Sequence, residues 1–114
     1  MDSILLSVKK MLGITEEYTQ FDPDIIMHIN SALFILNQLG VGASKFQVHD
    51  DSETWSDFID IENLELIRSY VYLKVRTLFD PPQSGPLSEA INRSISELEW
   101  RINVEVDPGR KEDE

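Results

Sequence analysis

One segment constrains this chain more than any other. Residues 64–79, LELIRSYVYLKVRTLF, are followed at once by Asp80-Pro81-Pro82. Leu64, Ile67, Val71, Val75 and Leu78 recur at helical spacing, and Leu66, Tyr70, Tyr72, Leu73 and Phe79 spread apolar character around most of the circumference. A helix that is apolar on nearly every side is covered by several neighbours, so the rest of the chain has to supply them. The two prolines end it, because proline cannot continue the hydrogen-bond ladder. Asn63 stands where its cap belongs.

Those neighbours are legible on both sides. Ser3 caps a short helix over residues 3–12, with Ile4, Leu5, Val8 and Leu12 in register. Lys9 and Lys10 fall in its last turn, where they favour the helix dipole, and Gly13 stops it. The next start signal is FDPDI, which predicts Asp22 as N-cap, Pro23 at the first helical position and Asp24 in the first turn. Phe21 is placed to staple back onto that helix. Ile25, Ile29, Leu33 and Leu36, with Ile26, Ala32 and Leu39, make its broad apolar face, and Gly40-Val41-Gly42 closes it.

Beyond the prolines a further helix is predicted from Pro86 to Asn103, with Leu87, Ile91, Ile95, Leu98 and Ile102 as its apolar stripe. Glu89, Arg93, Glu97 and Arg101 form a second stripe of alternating sign at i,i+4 spacing. Each such pair contributes only about 0.2–0.5 kcal/mol, so the stripe describes a face rather than a source of stability. That face meets either water or a neighbouring subunit. From Val104 the chain reads as a tail, turning at Asp107-Pro108-Gly109 and ending in charges.

Residues 41–62 are irregular. Phe46-Gln47-Val48 reads as extended but has no partner strand. Thr54 and Asp57 have capping-box spacing and open a single helical turn through Ile59, with Trp55, Phe58 and Ile59 as an apolar edge. The fold expected is all-α: a small bundle of about four helices with an irregular acidic loop between helices two and three. At 114 residues one domain is expected, over residues 1–106, with 107–114 as a charged C-terminal tail.

Charge narrows the function classes. Ten Lys and Arg face 21 Asp and Glu, for a net charge of -11. Residues 50–65 alone hold seven acids (Asp50, Asp51, Glu53, Asp57, Asp60, Glu62, Glu65) and no base. Such a chain is a poor ligand for a phosphate backbone. Arg68, Lys74 and Arg76 point to different sides of one helix, and no helix follows Gly40 soon enough for a helix-turn-helix. Leu, Ile, Val and Phe make up 36 residues, enough for a core. No apolar run approaches the ~18 residues of a membrane span, and the apolar stretch between Asp2 and Lys9-Lys10 is too short for a signal peptide. A soluble, intracellular domain is the expectation.

Chemistry is sparse. With no cysteine there is no disulfide, thiolate nucleophile or zinc–thiolate site. No serine lies in a G-x-S-x-G setting, and the five glycines form no phosphate loop. His28 and His49 are isolated from one another. His49-Asp50-Asp51 with Glu53 is the one cluster of metal-ligand type, but it lacks the EF-hand ladder and the spacing of a helical zinc site. Asp22 and Asp24 read as helix-start residues rather than paired catalytic carboxylates. Asn92-Arg93-Ser94 matches a glycosylation sequon but falls inside a helix. No catalytic residue, metal or cofactor is expected.

Several segments taken in order carry a family resemblance: FDPDIIMHINSALFILNQLGVG, an acidic loop with TWSDF, LELIRSYVYLKVRTLFDPP, and a helix ending ISELEWRINVE. This order over residues 2–105 resembles the small head–tail connector, or head-completion adaptor, proteins of tailed bacteriophages and prophages. The resemblance implies a small all-α protein that forms a ring of about a dozen subunits through heterologous contacts. It implies docking under the portal at the capsid vertex, an extended DNA channel, and a surface for downstream connector or tail proteins. It implies residence in the virion, with the host bacterial cytoplasm as the site of assembly. No reaction and no active-site residue come with it. Candidate contacts with neighbouring subunits or partners are then Trp55, Phe58, Glu89, Arg93, Glu97, Trp100 and Arg101. Candidate channel-facing acids, which would repel DNA rather than grip it, are Asp50, Asp51, Glu53 and Asp57. Two rival readings remain: an acidic binding module that occupies a basic host protein surface, and an enzyme with a metal at His49, Asp50, Asp51 and Glu53.

Overall fold

The structure is a computed structural model that describes residues 3–59 and 64–112, with side chains as far as Val104. Among the described residues the chain forms five helices: α1 (Ile4–Leu12), α2 (Asp22–Gln38), α3 (Trp55–Phe58), α4 (Leu64–Phe79) and α5 (Gly85–Glu112). No strand is formed among them, and Ser3 and Thr54 make an isolated antiparallel bridge. The all-α bundle expected from the sequence is the observed fold.

α4 is central, as its all-round apolar character requires. It packs against α1, α2 and α5, while α2 and α5 make no comparable contact with one another. Its Ile67, Tyr70, Val71 and Val75 are buried. Around them lie Ile4, Leu5 and Val8 of α1, Ile25, Ile29, Leu33 and Leu36 of α2, and Ile91, Ile95 and Ile102 of α5. Tyr70 sets the register of α4 on α5, since its hydroxyl donates to Glu99 Oε2 at 2.8 Å. Burial and the adjoining carboxylate both push the phenol well above its ordinary range. Asn63 lies outside the described residues, so its capping role has no structural counterpart here.

The first two helices start and stop largely as their residues dictate. Ser3 Oγ accepts from Leu6 N–H at 3.2 Å, and Gly13 takes the left-handed conformation that ends α1. The start of α2 differs from expectation. Phe21, not Asp22, occupies the N-cap position and gives no side-chain cap. The Asp22 carboxylate lies 2.9 Å from Lys9 Nζ, so it is engaged across α1 and α2. Lys9 is fully buried and also donates to Glu16 O at 3.1 Å. Phe21 meets Tyr18 and Phe79 edge-on, at ring-centroid distances of 5.5 and 5.3 Å, which ties the start of α2 to the end of α4.

α5 is longer than the stretch Pro86–Asn103. It continues through the expected turn at Asp107-Pro108-Gly109 to Glu112. Proline's own φ is helical, so it removes one hydrogen bond and bends a helix without always ending it. With 28 residues α5 is about 42 Å long, close to the 49 Å longest extent of the chain.

Candidate assembly surface

The irregular segment is folded back onto the bundle rather than left loose. Asn30 of α2 reads the backbone of Val48 in both directions, with Nδ2 donating to the carbonyl at 3.0 Å and Oδ1 accepting from the N–H at 2.8 Å. Asn37 Nδ2 donates to Val41 O at 2.8 Å. Ile4 N–H donates to Glu53 O at 3.0 Å, and Ala43 N–H donates to Phe58 O at 2.8 Å. α1, α2 and α3 thereby hold the loop against the bundle.

α3 corrects two of the expected contact residues. Trp55 and Phe58 are 1% and 2% exposed and belong to the core. The capping geometry that opens the turn is present, with Asp57 Oδ2 accepting from Thr54 N–H at 3.0 Å. The Ser3–Thr54 bridge turns the aromatic edge inward, so Trp55 Nε1 donates to Ser7 Oγ at 2.9 Å. Phe58 lies against Phe46 and beneath Gly42, whose φ of +84° and missing side chain make room for the ring. Neither residue is placed to anchor a neighbour.

The acidic loop is exposed at Asp50, Asp51 and Asp57, and half-buried at Glu53. Asp50 Oδ1 accepts from Ser52 Oγ at 2.6 Å and Ser52 N–H at 2.8 Å, which holds its carboxyl below the usual range. Partial burial works to raise Glu53, but the N–H groups of His49 and Asp50 at 3.1 and 3.2 Å outweigh it, and its carboxyl is also held low. His49 Nδ1 lies 3.1 Å from Glu53 Oε2. These bonds spend the cluster on shaping the loop. Among the described residues no group of His, Asp and Glu, His49, Asp50, Asp51 and Glu53 included, is arranged to hold a metal ion. Asp60 and Glu62 lie outside the described residues.

The remaining candidates lie on α5. Glu89, Arg93, Glu97, Trp100 and Arg101 are all exposed, and Trp100 is 65% exposed. At about 100° per residue, Arg93, Glu97, Trp100 and Val104 fall opposite the buried Ile91, Ile95 and Ile102. Among the described residues no ion pair joins the stripe to itself. α5 packs on α4, whereas the loop is bonded to α1 and α2, so the two groups of candidates lie on different elements.

Sequence reasoning missed a second exposed apolar face. Met27 and Phe34, seven residues apart on α2, are 57% and 63% exposed. The signal was available: no Lys, Arg, Asp or Glu occurs between Asp24 and Lys45.

These features define a class: a small helical bundle that offers its surroundings helix faces and a charged loop. The comparison with protein families is more specific. The model of the phage connector protein family matches residues 4–109, and the chain belongs to that family. Membership assigns it a general head–tail connector role as a component of the virion. No match is found among curated proteins or among solved structures. Among the described residues no helix is long and apolar enough to cross a membrane.

Proposed function

We propose that this protein acts as a ring-forming head–tail connector, built from about a dozen copies related by heterologous contacts. The ring docks on the portal vertex, extends the DNA channel and presents its far side to downstream connector or tail proteins. The protein works by geometry: it catalyses no reaction and needs no cofactor. The single observation that carries this reading is the family match, which spans residues 4–109 of 114.

Two surface features support it. Trp100 stands out from α5 among the alternating charges of Glu89, Arg93, Glu97 and Arg101, an arrangement suited to a registered contact with a neighbouring protein. Asp50, Asp51, Glu53 and Asp57 belong to a run that carries seven acids and no base. Lining a channel, they repel DNA phosphates and let the duplex pass without being gripped. The test is electron microscopy of the full chain incubated with its portal ring. An added annular layer on one face of the portal is expected. Portal rings left bare at saturating connector concentration would refute the docking.

A further inference from the structure

Twenty consecutive residues, Ile25 to Ser44, contain no Lys, Arg, Asp or Glu. At the chain's charged content of 27%, about five are expected in a stretch of that length. Burial explains only part of the gap. Ile25, Ile29, Ala32, Leu33 and Leu36 face the core, but Met27, Ser31, Phe34 and Gln38 point the opposite way and are exposed. A surface helix ordinarily carries charge on that side. Loss of charge together with exposed Met and Phe is the composition of an interface centre.

We propose that this outer face of α2 receives the outer face of α5 from a second copy of the chain, with Trp100 as the inserted side chain. The proposal rests on the ring reading above and names the two halves of its subunit contact.

Three observations select this occupant. The first is shape. Beside Phe34 lies a cleft of about 180 Å³ lined by Asn30, Asn37, Lys45, Phe46 and Gln47. Aromatic walls suit an indole, and the amide oxygens of Asn37 and Gln47 offer acceptors to its N–H. The second is charge. Lys45 is the sole Lys or Arg between Lys10 and Arg68, and it sits at this cleft. Its ammonium can cap the indole face, while Glu97, one turn before Trp100, brings it a carboxylate. Two copies that each carry a charge of -11 repel one another unless contact falls where acids are scarce, and the α2 face is such a place. The third is direction. α2 and α5 each bury one face against the bundle and expose another, both pack on α4, and they make no comparable contact with one another. Two different faces on separate helices of one chain give a heterologous contact that can propagate head to tail, as a ring demands.

Complementary capping tests this with the full chain. Phe34→Glu spoils the α2 face and leaves α5 intact, and Trp100→Glu does the reverse. Both positions are more than half exposed, so circular dichroism should show unchanged helix content. Sedimentation over a concentration series should find association beyond the dimer for the wild type and only monomer for each variant. An equimolar mixture of the variants should give a 1:1 dimer and nothing larger, because one good face of each remains. A variant that still associates like the wild type overturns the proposal, as does a mixture that stays monomeric. A wild type that remains monomeric at every concentration also overturns it, since the contact as drawn needs no template. The ring reading is judged separately, by whether the wild type assembles on the portal.

Discussion

Lys9 is buried, lies 2.9 Å from the Asp22 carboxylate and donates to Glu16 O. Replacing it by alanine leaves that carboxylate, itself only about a fifth exposed, without its cation. Lys9→Ala should cost about 3 kcal/mol in urea unfolding, and Lys9→Met less, because it keeps the packed stem. Gly42 is a second such point. A Cβ there collides with the Phe58 ring and forces a side chain into positive φ. Gly42→Ala should lower stability by about 2 kcal/mol in the same measurement. Glu53 gives a pH dependence with a defined sign. Its folded carboxyl is held low, so its contribution is complete above the ordinary glutamate range and is lost as pH falls through the folded value. The wild-type urea midpoint should therefore drop on acidification more steeply than that of Glu53→Gln; parallel curves would rule this contribution out. The burial of Lys9 was legible, since position 9 continues the apolar series of Leu5, Val8 and Leu12 at helical period. Its charge masked that position, and its partner Asp22 resembled a cap.

At the scale of elements, the helices themselves were readable from local signals. Ser3, Gly13, Pro23 and Pro81-Pro82 act within a turn of where they stand, so the limits of α1 and α4 follow from short-range chemistry. What was not readable is which way a short element faces. α3 has a sequence that opens one turn, but its aromatic edge is aimed inward by the bridge to Ser3, some fifty residues away. The two tryptophans should therefore behave oppositely. Trp55→Ala empties a core site and should cost about 3–5 kcal/mol. Trp100→Ala, on the open face of α5, should change the stability of the dissociated chain, measured at high dilution, by no more than about 0.5 kcal/mol. Thermal or urea unfolding of the pair checks both, and equal losses would contradict the placement of one of them. The end of α5 departs from expectation for a related reason: Pro108 weakens a helix locally, whereas whether the helix continues depends on the whole ladder.

At the scale of the molecule, α4 joins two flanks that carry different surfaces. One holds the acidic loop on α1 and α2, and the other is the long outer face of α5. The resemblance visible in the ordered segments was specific enough to name the family, because it drew on three separated helices at once. Of the proposed contact surface, Trp100 and its charged neighbours stand out in the sequence, whereas the α2 face is marked only by missing charge, which forms no motif. The most direct measurement is the mass of the purified full chain by light scattering, alone and mixed with its portal ring. A ring-sized species, free or added to the portal, is the expected result. A chain that stays monomeric alone and leaves the mass of the portal unchanged would contradict the connector ring.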